Sequence, residues 1–185
     1  MARIPYATPS DILANEKPAY DDFVRARGQA PASGPYALLL HMPVLANKVE
    51  DLRLYLRAEA SVPQPIQELV MITVAREMDC AYIWQAHAAE ARKIGVRGDI
   101  IDNIRERRAL AGLDKDQQAA VDFTLELLRN RKVSKSAFDK ATAGFGQRGT
   151  LTLTNLVSCY ATLAYNMNTY ELVAPAHATE AALPV

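Results

Sequence analysis

Apolar residues recur at helical spacing along most of the chain and almost nowhere alternate. In "PVLANKVEDLRLYLRAEA", Leu45, Val49, Leu52 and Leu56 fall on one stripe and Pro43 suits a first turn, which predicts a helix from Pro43. "PQPIQELVMITVAREM" opens on prolines and runs through Ile66, Leu69, Val70, Ile72, Val74 and Ala75, apolar nearly all round, so this helix is expected at the centre and buried. The next, "CAYIWQAHAAEARKIGV", is rich in alanine and sets Arg92 and Lys93 just before Gly95, a helix C-terminus pattern. Downstream, "RGDIIDNIRERR" reads as a short helix with Asp99 near its start. "DKDQQAAVDFTLELLRNRK" reads as a longer one, with Asp114 as N-cap and Ala120, Phe123 and Leu127 along one face. Another short helix is expected from Ser134 to about Gly144. The closing "TLTLTNLVSCYATLAYNMNTYEL" mixes β-branched and helical residues, but its length and lack of turn signals favour a helix.

With strand signals nearly absent, the fold class is all-α: a compact multi-helix domain packed by ridges into grooves. Residues 1–35 are rich in Pro, Ala and Gly, with one helical candidate around Tyr20 to Arg27, and read as an arm lying over something else. Residues 36–173 form the helical domain and 174–185 a tail. There are no internal repeats.

The 185 residues, half of them hydrophobic, suffice for one well-filled core. Twenty-one basic and twenty-one acidic side chains cancel, so no chain-wide field draws in nucleic acid or an anionic membrane. The expected partner is a small molecule or another copy of the chain. The N-terminus carries no apolar run of signal-peptide length and no window reaches the roughly 18 residues of a membrane helix, which makes a cytoplasmic location the expectation. Cys80 and Cys159 lie far apart without metal-ligand spacing, so neither a disulfide framework nor a metal is expected, nor any other cofactor. Any sulfur chemistry would have to be catalytic.

The stretch "DCAYIWQAHAAEARKIG" carries the candidate chemistry. On a continuous helix Cys80, Ile83, His87 and Glu90 share a stripe, with Cys80 and His87 roughly 10 Å apart along the axis, too far for direct contact. Glu68 lies in the otherwise apolar preceding helix, where an ionised carboxylate costs several kcal/mol unless something pairs with it. If the two helices fold back around Met78 and Asp79, Glu68 returns beside His87, and a carboxylate orienting an imidazole makes an acid/base pair.

The spacing of Glu68, Cys80, Ile83 and His87 resembles that of the alkylhydroperoxidase D and carboxymuconolactone decarboxylase superfamily. Its carriers are "QELVMITVAREMDCAYIWQAHAAEARKIGV" and, more weakly, "LLLHMPVLANKVEDLRLYLR" and "YATLAYNMNTYELV", and the resemblance spans about residues 36 to 173. The peroxidase branch pairs two cysteines. Cys80 matches the first, but Ile83 stands at the second and cannot form a thiolate, which removes the dithiol cycle. In the decarboxylase branch a "Y-x-W-x-x-H" run remains, matched by Tyr82, Trp84 and His87.

The resemblance implies trimers or hexamers with sites near subunit contacts. It leads to the expectation of proton transfer to or from a small, cyclic or unsaturated organic acid, with His87 oriented by Glu68. Arg76 or another cation would hold the substrate carboxylate, and Tyr82, Trp84 and Ile83 would shape an apolar pocket. One alternative is a thiol-dependent peroxidase using Cys80, with Cys159 or an external thiol resolving the sulfenic acid. The other is a non-catalytic helical oligomer that binds a ligand. Against each stands plain packing: free cysteines are usually small buried residues, Arg76 more often a structural partner, Tyr82 and Trp84 more often core. His41, beside a helix break, suits a cap, and His177 carries no expected chemistry.

Overall fold

A computed structural model describes residues 2–174 and 178–184, and among them there are helices and turns but no strand. A 3-10 turn at Pro9–Asp11 leads into eight helices: α1 Lys17–Arg27, α2 Pro35–Leu39, α3 Pro43–Ala58, α4 Gln64–Glu77, α5 Ala81–Lys93, α6 Gly98–Arg105, α7 Lys115–Asn130 and α8 Lys135–Thr169.

The apolar character of α4 places it where it was expected. Every residue from Ile66 to Arg76 is buried, and α5, α6, α7 and α8 pack around it. Leu69, Val70, Met71, Ile72, Val74 and Ala75 lose all contact with water, the larger ones each contributing about 1.5–3 kcal/mol. The chain then reverses through Met78 and Asp79, the latter left-handed at φ 49°, so that α5 returns along α4. Cys80 is not part of α5. It is the extended N-cap residue (φ −93°, ψ 93°), and its carbonyl accepts the Trp84 N–H at 3.1 Å.

Local capping explains the other boundaries. The Asp114 carboxylate accepts the Gln117 N–H at 2.8 Å while the Gln117 side chain accepts the Asp114 N–H at 3.2 Å, a reciprocal cap that starts α7. Ser134 caps α8, accepting the Ala137 N–H at 3.1 Å. The two terminal helices read from the sequence join as α8, broken at Gly146 (φ 67°, ψ 179°). From Gly149 to Tyr170 this helix carries no charge. Its hydroxyls and amides fold back on the preceding turn instead, as Thr154 does on the Thr150 carbonyl at 2.9 Å.

Both chain ends pack on their own domain. The stretch read as an arm lying over something else buries Tyr20 and Phe23 in the core, sets α1 on α3, and stacks Arg27 over the Tyr36 ring at 4.6 Å. The tail crosses α5: the Trp84 Nε1–H donates to the Ala181 carbonyl at 2.9 Å, and Gln85 Nε2 donates to the Glu180 carbonyl at 2.8 Å. His177 lies outside the described residues.

Candidate active site

Glu68 and His87 meet. Glu68 is fully buried, and its Oε2 stands 2.7 Å from His87 Nδ1. A carboxylate only accepts, so Nδ1 carries the proton, which leaves Nε2 as the ring's basic nitrogen. On the other oxygen, Arg57 from the last turn of α3 brings Nη2 to 2.7 Å of Oε1. This contact is an ion pair and not a hydrogen bond, because the N–H is not aligned and Oε1 has no hydrogen-bond partner. The buried carboxylate is thus held between a permanent cation and an imidazole N–H, which is what lets it stay in an apolar helix.

The ring of His87 is set from its other side by Tyr160 of α8, edge to face at 5.0 Å and 83°. Burial pushes the Tyr160 phenol up to about 12, so it stays protonated and neutral beside the imidazole. The His87 side chain is 20% exposed, so solvent reaches it while Glu68 behind it stays dry. A second, half-buried charge group lies on α3: Glu50 binds Arg53 through both oxygens at 2.7 and 2.9 Å and pairs with the more exposed Arg27 at 2.9 Å. Neither Arg57 nor Tyr160 could be picked from sequence. They come from α3 and α8, and the only hints were a lone arginine ending an apolar stripe and a tyrosine in a charge-free helix.

The remaining candidates go elsewhere. Cys80 is buried at the α4–α5 turn and Cys159 is buried in α8; both are free, and burial pushes both thiols up, away from the reactive thiolate. Ile83, one turn before His87, is a core residue. Trp84 has no exposed surface and is closed over by the tail, so it lines no pocket. Tyr82 lies against Gly34, where a Cβ would come within 2.3 Å of its hydroxyl; left-handed at φ 87°, that position needs glycine on both counts. Arg76 is not beside the imidazole: it pairs with Asp79, donates to the Pro184 carbonyl at 3.0 Å, and sits eight residues along α4 from Glu68, roughly 12 Å by helical rise. His41 Nε2 contacts the Pro5 carbonyl at 3.0 Å, a loop-fixing role.

The deep apolar pocket expected beside His87 does not have its expected lining, since Tyr82 and Trp84 face other parts of the fold. A shallow, open hollow of about 400 Å3 lies near the pair in sequence, lined by residues that include Arg57, Val62, Pro63, Gln64 and Gln67. Arg57 therefore connects a solvent-open hollow with the buried Glu68. Among the described residues, no group of three or more His, Cys, Asp or Glu is placed to hold a metal.

Comparison with known proteins bears on this arrangement. Residues 43–126, from α3 into α7, match the model of the carboxymuconolactone decarboxylase family. The matched segment is similar to that family and covers under half of the chain. An uncharacterised peroxidase-related protein from Silicibacter sp. TM1040 shares the fold with a TM-score of 0.73 at 17% identity, over 96% of this chain and 93% of that one. An alkylhydroperoxidase AhpD core protein from Ralstonia eutropha JMP134 gives 0.71 at 16%, over 95% and 93%. The debrominase Bmp8, solved with 2,3,4-tribromopyrrole, gives 0.71 at 13%, over 95% of each chain. No curated protein matches the sequence. At these identities the structural likeness shows a shared fold and says nothing of the chemistry. Within the matched segment lie Arg57, Glu68, Cys80 and His87, whereas Tyr160 comes from outside it.

Proposed function

We propose that this chain is a carboxymuconolactone decarboxylase-like enzyme that moves a proton on a small organic acid, with His87 as the acid/base. The observation that carries this reading is the 2.7 Å contact between His87 Nδ1 and the fully buried Glu68. It fixes the ring and its tautomer and leaves Nε2 as the unprotonated nitrogen of a side chain that is 20% exposed. When a carboxylate leaves as carbon dioxide, the electron pair remains on carbon as an enolate, and that carbon must then be protonated. A positioned imidazolium gives that proton and returns to the neutral ring; in an isomerisation the same nitrogen first removes one. Arg57, at the open hollow, takes over from Arg76 as the candidate cation for the substrate carboxylate. Tyr160 positions the ring without charge.

The thiol peroxidase reading loses support from the same geometry: Cys80 is a buried cap residue with its thiol pushed up, and no cysteine follows at Ile83. Assembly into a homo-oligomer belongs to the proposal. The exposed face of α8 presents Leu151, Asn155, Ser158, Thr162 and Tyr165 without a charge, and Tyr55 of the antiparallel α3 lies near its start through Arg148. Such a face suits a second copy better than water. No helix among the described residues is long and apolar enough to cross a membrane, and the proposal places the protein in the cytoplasm.

The test is incubation in deuterated water with a panel of unsaturated lactone acids and β-keto acids, read by proton NMR for carbon dioxide loss and deuterium entry. We expect turnover of at least one member, lowered about 100- to 10,000-fold in His87→Gln, with Cys80→Ser unchanged. Turnover that survives His87→Gln, or peroxide turnover that vanishes in Cys80→Ser, would overturn the reading.

A further inference from the structure

A second site lies at the opposite end of α4 from Glu68. Between α4, the end of α6 and α7 opens a hollow of about 320 Å3, at the small end of the range for small-molecule pockets. Four guanidinium groups, Arg76, Arg107, Arg108 and Arg129, line it against only two carboxylates, Glu77 and Asp122. The rest of its wall includes Ile104, Val121 and Leu125, the first two buried in the core.

These arginines are not equally engaged. Arg129 is held in a fork on Glu77, both contacts at 2.7 Å. Arg107 donates to both oxygens of Asp79 at 3.0 and 3.1 Å and to the Arg76 carbonyl at 3.1 Å. Arg76 is almost wholly buried, shares that same Asp79, and keeps a buried Nε–H with no acceptor. Arg108 has no ion-pair partner among the described residues. One carboxylate thus serves two arginines and a third cation is free, so the hollow holds positive charge that its own walls do not neutralise. A neutral or cationic guest would leave that surplus in place; an anion removes it.

We infer that this hollow binds a small organic carboxylate, its anionic head on Arg108 and Arg107 and its apolar body against Ile104, Val121 and Leu125. The apolar wall is what separates this guest from a bare inorganic anion. The site is independent of the Glu68–His87 chemistry: neither residue lines it, and no reaction is assigned to it.

The experiment titrates the full-length protein with benzoate and follows backbone amide shifts of Thr73, Arg107, Arg108 and Leu110. Parallel titrations use benzyl alcohol, which keeps the ring without the charge, and inorganic phosphate, which keeps charge without the ring. Saturable benzoate binding centred on these amides is expected, about fivefold weaker in Arg108→Gln and lost in Arg108→Glu, with benzyl alcohol and phosphate each binding more weakly. Arg108 is exposed, so both variants should fold, and a heat-unfolding trace confirms it. Absence of saturable binding, shifts centred on His87, or indifference to Arg108→Glu would overturn the inference. So would phosphate or benzyl alcohol binding as tightly as benzoate.

Discussion

Removing Arg57 tests whether Glu68 is a buried charge that needs a cation. Arg57→Met keeps most of the side-chain volume and deletes the charge 2.7 Å from Oε1, leaving a carboxylate with no exposed surface and only His87 beside it. Breaking a buried pair from one side costs about 3–5 kcal/mol. The Arg57 side chain is 20% exposed, so water can enter where it stood, and we expect roughly 2–4 kcal/mol. For a chain of this size that lowers Tm by roughly 4–16 °C. Glu68→Met acts differently. It leaves an arginine that can turn to solvent and an imidazole N–H without its acceptor, a loss of about 1–2 kcal/mol. Once the carboxylate is gone Arg57 has little left to neutralise, so the double variant should be about as stable as Glu68→Met alone, well short of the sum of the two losses. Urea unfolding of the four proteins, followed by circular dichroism, measures the cycle. Additive losses, or an Arg57→Met change below about 0.5 kcal/mol, would show that the pair is not coupled and that the charge on Glu68 is not held as described.

Three further outcomes follow from the packing. Cys80 and Cys159, both buried with thiols pushed up, should resist a chromogenic disulfide reagent in the native protein and react promptly in denaturant; fast native labelling of Cys80 would return it to the chemistry. Tyr160, held near 12 against an ordinary 10, favours the folded state with its proton on; that stability is intact below pH 10 and is lost as pH rises from 10 to 12, on the order of 2–3 kcal/mol. Tyr160→Phe should flatten this alkaline decline in a Tm-against-pH series, and an unchanged decline would remove Tyr160 as its source. Gly149→Ala would put a Cβ 2.4 Å from the Phe145 Cβ and 3.0 Å from the Ser61 carbonyl, so a loss of about 1–3 kcal/mol by urea unfolding is expected, and a neutral result would mean that α8 shifts there freely.

How far the sequence carried can be followed residue by residue. The apolar run around α4, the cap signal at Asp114 and the helix start at Ser134 are local, and local patterns place helices well. Glu68 stood out because a lone carboxylate in such a run needs a partner, and His87 because two consecutive antiparallel helices bring it back to that level. What periodicity could not give is what lies opposite a side chain. Arg57 and Tyr160 reach the pair from α3 and α8, and no spacing along α4 or α5 announces them. Trp84 and Arg76 were assigned to a pocket on the family resemblance and, for Arg76, on its guanidinium fork, but the tail returns about a hundred residues later to bond both. Cys80 was placed on the α5 stripe by counting; the turn through Asp79 puts it one residue before the helix begins.

The central claim is that Glu68 fixes the proton of His87 on Nδ1 and leaves Nε2 free to exchange one with substrate. Long-range proton–nitrogen NMR of the ring, recorded on the neutral imidazole, reads this directly. The account predicts a protonated Nδ1 and a bare Nε2 in the native protein, with that preference lost in Glu68→Leu; a native ring protonated on Nε2, with Nδ1 bare, would contradict it.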